Sequence, residues 1–142
     1  MKVPVRRIDK ELPLPEYKTA GAVAMDCVVR EDIEVPAQGI AMASLNVALK
    51  PPAGHFVLIA ARSSLHKRGL MLANGIGIGD EDYSGDNDEY RAALHNFTDA
   101  PVTVTRGERV AQMIILPFDK VTWEEVDTLQ NPDRGGFGTT GV

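Results

Sequence analysis

The stretch DIEVPAQGIAMASLNVALKPPAGHFVLIAA, residues 32–61, decides the fold class. It divides into Asp32–Val35, Ala43–Leu49 and His55–Ala61, each short and either apolar or alternating. Between them lie PAQG and PPAG, which favour turns because proline presets φ and glycine accepts positive φ. Short strands separated by tight turns read as β structure, and the pattern continues downstream. Ala92–Phe97 and Val102–Thr105 flank Thr98–Pro101, TDAP, which reads as a hairpin connection. Arg106–Glu108 then turns the chain into the apolar run Val110–Leu116, suited to a buried strand, and Trp123–Val126 reads as a last strand. Many short strands at close spacing predict an all-β sandwich, barrel or jelly roll. One short helix is expected at Ser63–Arg68, capped by Ser63 or Ser64 and ended by Gly69.

At 142 residues and 44% apolar content the chain is long enough for one domain with a real core. No run approaches a membrane span, and the N-terminus lacks the pattern of a secretory signal. Cys27 is the single cysteine, so no internal disulfide can form and a cytoplasmic location is the simple expectation. His55, His66 and His95 have no metal-ligand spacing. A net charge of −5 argues against nucleic acid as partner. It leaves open a small anionic substrate held by a few arginines.

Two segments carry more chemistry than packing needs. Asn74–Gly85, NGIGIGDEDYSG, crowds glycines, the carboxylates Asp80, Glu81 and Asp82, and the ring of Tyr83 into one window. Exposed backbone beside a flat ring and a carboxylate suits a planar polar ligand. The alternative is a glycine-rich acidic hairpin with solvated charges. Around Arg62, Ser63 and Ser64 a cation and two hydroxyls meet free N–H groups at a helix start, which suits an anion; an ordinary capped turn is the alternative. Pro132–Val142, including DRGGFGTTGV, is too poor in apolar residues to pack alone. Phe137 among glycines, with Arg134 before it and Thr139 and Thr140 after, suits an arm that closes over a base and a phosphate chain.

From about Leu12 to Gly141 these pieces resemble the trimeric all-β dUTP diphosphatase (dUTPase) family. The motifs stand in the family's order: GAVAMDC at Gly21–Cys27 with its aspartate Asp26, ARSSL at Ala61–Leu65, the glycine-rich segment with Asp80 and Tyr83, GERVAQ at Gly107–Gln112, and GGFGTTG at Gly135–Gly141. The resemblance implies a distorted jelly-roll or barrel subunit with one short helix, residues 1–131, followed by a C-terminal arm, residues 132–142. It also implies a homotrimer whose sites each draw on all three chains, and hydrolysis of dUTP to dUMP and pyrophosphate with Mg²⁺.

In that scheme Asp80 is the general base. Ser63, Ser64 and Gln112 donate to phosphate oxygens, Arg62 braces the site and pairs with Asp26, and Arg134, Thr139 and Thr140 hold the γ-phosphate. Asn74 and Gly77 belong to the backbone edge that reads uracil. Tyr83 packs on the sugar and Phe137, beside Gly138, stacks on the base. Mg²⁺ rides on the triphosphate with no direct protein ligand, Asp26 reaching it through water.

Departures from the family pattern include Ala24 for glycine, Ala61 for proline, Gly79 for an aliphatic residue beside Asp80, and Arg134 closer to Phe137 than usual. Extra residues, Asp86–Tyr90, follow Gly85 and read either as a solvated, widened hairpin or as carboxylates that touch a metal or the base pocket. Two rival functions stand beside the diphosphatase reading. A dCTP deaminase of this fold, or its bifunctional relative, needs a glutamate where Ala93 stands. A non-catalytic, regulatory dUTPase-like trimer would not need Asp80 intact.

Overall fold

The computed structural model describes residues 1–136. The readings on Phe137, Gly138, Thr139 and Thr140, and on most of the 132–142 arm, lie outside these residues. Within them the chain is all-β. Its strands are β1 (Val5–Arg7), β2 (Met25–Val28), β3 (Ile33–Val35), β4 (Ile40–Ser44), β5 (Val47–Leu49), β6 (His55–Ala61), β7 (Leu70–Leu72), β8 (Gly77–Gly79), β9 (Arg91–Asn96), β10 (Val102–Val104) and β11 (Arg109–Pro117). The largest sheet has the order β2-β11-β6-β8, the next β4-β9-β7, and two pairs, β1-β5 and β10-β3, complete the set. All pairings are antiparallel and no sheet closes on itself, so the jelly-roll expectation holds in its open form. No helix among the described residues is long and apolar enough to cross a membrane.

Alternation makes β6 the centre of the largest sheet. Val57 and Ile59 point into the core while the residues between them stay partly exposed. Met113 and Ile115 of β11 face Ile59 and Val57 across the ladder, and Val110 and Ala111 join the same core. Val110 and Ala111 are consecutive yet both buried, because the β11–β2 register slips between Arg109 and Ala111. This bulge re-aims the flanking side chain, a common device beside functional sites.

Several expectations need correction. Ala43–Leu49 is not one strand: it breaks at Asn46, whose φ of 68° lies in the left-handed region that asparagine tolerates. The fully buried Asn46 side chain explains the break. Its Oδ1 accepts the Asp9 N–H at 2.7 Å and its Nδ2 donates to the Asp9 carbonyl at 3.0 Å. Thr98–Pro101 is not a hairpin connection, since β9 and β10 belong to different sheets. Buried Asn96 makes this corner by donating to the carbonyls of Val35 (3.1 Å) and Ala100 (2.7 Å). Trp123–Val126 forms no strand: no ladder partner exists for it among the described residues, and Trp123 is 90% exposed. The short helix shrinks to a 3₁₀ turn over Leu65–Arg68, because β7 begins at Leu70 and leaves no room for an α-helix. Gly69 ends it at φ 73° as expected, but neither serine caps it through its side chain.

The acidic insertion is also not simply solvated. Glu89 is buried and accepts from Arg30 Nε (2.9 Å) and Nη2 (3.2 Å) and from the Asn46 N–H (3.0 Å). The guanidinium gains a carboxylate partner, which raises the Arg30 pKa further. Removing one member of such a pair leaves the other charge and an N–H unpaired. Glu89→Ala should therefore lower stability by about 2–4 kcal/mol, read by urea denaturation. Asp88→Ala, which removes only an exposed turn bond to the Gly85 N–H, should change it by less than about 1 kcal/mol.

Candidate active site

The chain carries two clusters of the residues singled out in the sequence. The first is built on β8. Gly77 and Gly79 pair with Ile59 and Val57 of β6. A Cβ on Gly77 would sit 3.2 Å from that of Ile59, so glycine lets the backbone lie close to the strand beneath it. The preceding corner is tight: the Gly75 N–H donates to the Leu72 carbonyl at 3.1 Å with φ 72°, and the Ile76 N–H donates to the Asn74 carbonyl at 2.8 Å. Strands β7 and β8 belong to different sheets, so this segment is a corner between sheets and not the glycine-rich hairpin of the alternative reading.

Over it opens a cleft of about 490 Å³, lined by Asn74, Gly77, Ile78, Gly79, Asp80 and Tyr83 together with Met42, Ile59, Glu89, Tyr90 and Arg91. Asp80 stands exposed at its rim. Its carbonyl accepts the Tyr83 N–H at 3.1 Å, a turn that brings the ring back over the cleft. The Tyr83 hydroxyl donates to the Glu89 carbonyl at 3.1 Å, and its ring stands edge-on to Tyr90 with centroids 5.3 Å apart. Neighbouring Glu81 turns away and accepts the Gly54 N–H at 3.1 Å.

The second cluster lies at the other end of β6, where β2, β11 and β6 meet. Asp26 is held between two guanidiniums: Arg62 Nε donates to Oδ1 at 3.0 Å and Arg109 Nη1 to Oδ2 at 3.1 Å. Arg62 also donates to the Arg109 carbonyl at 3.2 Å, so all three residues form one brace. Gln112 donates to the Ala61 carbonyl at 2.9 Å and keeps a second amide N–H. Ser63 and Ser64 follow with exposed side chains, unspent on capping. Two arginines held in place by Asp26 beside exposed hydroxyls make an arrangement able to attract an anion. Arg109 was missed in the sequence: it stands inside GERVAQ, but only the bulge turns it toward Asp26. Arg134 is exposed and does not line the cleft.

Within one chain the Asp80 end of the first cluster stands apart from the brace of the second, although Gly77 and Gln112 pair with adjacent β6 residues, Ile59 and Ala60. Gly79 pairs with Val57, and Arg62 lies five residues further along the same direction, roughly 17 Å at the rise of a strand. A general base must come within about 3 Å of the water it activates, directly at the bound phosphate.

The sequence profile of the dUTPase family matches residues 10–141. A deoxyuridine 5′-triphosphate nucleotidohydrolase of Dictyoglomus turgidum is 38% identical over 151 aligned positions, covering 100% of this chain and 99% of its own. The structure of a dUTPase from Streptococcus mutans superposes with a TM-score of 0.76 at 30% identity, covering 84% of this chain and 98% of that one. The Staphylococcus bacteriophage 80alpha dUTPase with dUpNHpp shares the fold over 99% of both chains, at a TM-score of 0.85 and 20% identity.

Proposed function

Because the chain belongs to the dUTPase family, we propose that it cleaves dUTP to dUMP and pyrophosphate with Asp80 as general base, in sites assembled between three copies. The observation that carries this reading is Asp80 at the rim of a glycine-lined cleft, apart from the anion brace of its own chain. Association supplies the missing half, the brace of one copy facing the cleft of the next. Residues 1–131 are then the folded subunit and residues 132–142 the arm of a third copy, with Phe137 and Gly138 over uracil and Thr139, Thr140 and Arg134 at the γ-phosphate.

Asp80 takes a proton from a water aligned on the α-phosphorus. The new P–O bond forms as the bond to the α,β-bridging oxygen breaks, and pyrophosphate leaves. Ser63, Ser64 and the spare amide N–H of Gln112 donate to the phosphate oxygens. Among the described residues no three His, Cys, Asp or Glu side chains converge to hold a metal ion, and both oxygens of Asp26 already accept from arginine. This donor set fits a cation carried in on the triphosphate rather than caged by the chain. Bound there, Mg²⁺ supplies neutralisation of phosphate charge.

In this reading the corner at Asn74–Gly79 supplies the backbone edge that pairs with uracil; cytosine, with the opposite donor and acceptor pattern, would leave a buried polar group unpaired at about 1–3 kcal/mol. A base held close against that glycine backbone would have no room for a 5-methyl group. A deaminase reading gains nothing from the structure: Ala93 occupies the position that needs the glutamate, and nearby Glu89 is committed to Arg30.

Purified protein with Mg²⁺ and dUTP, dCTP, dTTP or UTP tests the proposal. Pyrophosphate release from dUTP alone supports it; ammonia from dCTP overturns it. Tyr83→Ala should erode the preference for dUTP over UTP by about tenfold, more than it weakens dUTP binding, because the ring excludes the 2′-hydroxyl. Equal losses on both nucleotides would refute that role.

A further inference from the structure

Gly79 departs from the aliphatic residue of the family pattern, and the structure supplies what replaces it. A Cβ on Gly79 would collide with the ring edge of Tyr90 and lie 2.7 Å from its hydroxyl oxygen. The backbone of Gly79 itself has no left-handed φ that forbids a side chain. The glycine is thus needed for space, and the occupant of that space is a ring reaching over from the loop that precedes β9. Tyr90 is buried and makes its edge-on contact with Tyr83 at an interplanar angle of 88°. Tyr83 is therefore fixed at two points, its tip by the Glu89 carbonyl and its ring by Tyr90. Glu89 is in turn fixed by Arg30 and the Asn46 N–H.

The Tyr90 hydroxyl does no evident work of its own. It is a buried side-chain polar atom without a hydrogen-bond partner among the described residues. Burial, with Tyr83, Asp80 and Asp88 nearby, pushes its pKa up to about 12, so it stays neutral and does not shuttle protons at ordinary pH.

We propose that Tyr90, seated over Gly79, is a positioning residue: its ring fixes the plane of Tyr83 and thereby sets the discrimination between deoxyribo- and ribonucleotides. The inference rests on the proposed role of Tyr83 at the sugar. Gly79 and Tyr90 then form a coupled pair, one making the room that the other fills.

The test measures binding of the imido analogues of dUTP and UTP by calorimetry, with the full chain and Mg²⁺. An edge-on ring contact is worth enough for Tyr90→Val to lower the deoxy-over-ribo preference by about three- to tenfold. Gly79→Val alone should do at least as much by displacing the ring. Joined as Gly79→Val/Tyr90→Val, the new side chain refills the void from the other strand, and the preference should return to within about threefold of the parent. Tyr90→Phe keeps the ring and drops the unpaired hydroxyl; its preference should stay within about twofold and its thermal midpoint should not fall.

Single variants that keep the parent preference would overturn the proposal. So would a double variant no better than the worse single, or a Tyr90→Phe that loses as much as Tyr90→Val. Should Tyr90→Val fail to fold, the double variant and Tyr90→Phe still decide. The readout is binding, so a chain that discriminates sugars yet releases no pyrophosphate sinks the proposed reaction and leaves this inference standing.

Discussion

Asp80→Asn should lower dUTP turnover by about 10²–10⁴-fold, the usual contribution of a positioned base. Affinity for a non-cleavable dUTP analogue should change little. The substitution keeps shape and hydrogen-bonding reach but removes the group able to accept a proton from water. It should also leave the fold intact. The side chain is exposed, and the local turn depends on the Asp80 backbone carbonyl rather than on its carboxylate. Neighbouring Glu81 is tied to the Gly54 N–H and does not line the cleft. Single-turnover pyrophosphate release, with analogue titration and thermal unfolding on the same sample, separates chemistry from binding and stability. A normal rate in this variant would refute the mechanism.

Where side chains alternate or turns carry proline and glycine, the fold was legible. His55–Ala61 and Val110–Leu116 read as strands because their burial follows from local pattern, and PAQG and PPAG mark the turns between strands. Strand β8 was not legible, because GIG has almost no side chains from which to read a face. Asn46 hid a strand break inside an apolar run; its reason to break is a partner 37 residues away, at Asp9. Glu89 looked solvated for the same cause, since its arginine lies 59 residues back. Long-range polar pairing leaves no periodic trace. Trp123–Val126 shows the opposite error: strand composition without a ladder to join.

For the site, the chemistry could be read but not its distribution. Asp80, Tyr83, Arg62 and Asp26 were all named from their motifs, and the Arg62–Asp26 pair was expected and found. Arg109 and Tyr90 escaped because their roles depend on a bulge and on the space left at Gly79, features of pairing rather than of spacing. The resemblance implied sites shared between chains, but not which motifs group together within one chain, with Asp80 and the Asp26 brace set apart along β6. Only the register of β8 against β6 reveals that.

This separation leads to a second expectation, large in effect because it starts from nearly nothing. Take one chain carrying Asp80→Asn and another carrying Ser63→Ala/Ser64→Ala. Each alone should be nearly inactive, the first for want of a base, the second for want of charge-assisted bonds to phosphate, each worth about 1.5–3 kcal/mol. The three changed side chains are exposed, so both variants should fold. If a site joins the cleft of one copy to the brace of the next, mixed assemblies contain sites with an intact Asp80 from one chain and intact serines from the other. Head-to-tail contacts of this kind close into a ring, and random assembly of an equal mixture makes about a quarter of the sites intact. Activity of the mixture, after joint unfolding and refolding, should approach that fraction of the parent. It should vary as the product of the two mole fractions, zero at either end and greatest in the middle. Were both halves of a site drawn from the same chain, no mixture could make an intact one, and the curve would stay flat at the residual rate. A flat curve would mean that the 17 Å or so read from strand register is bridged within a subunit, and the physical need for a second copy at each site would fall with it.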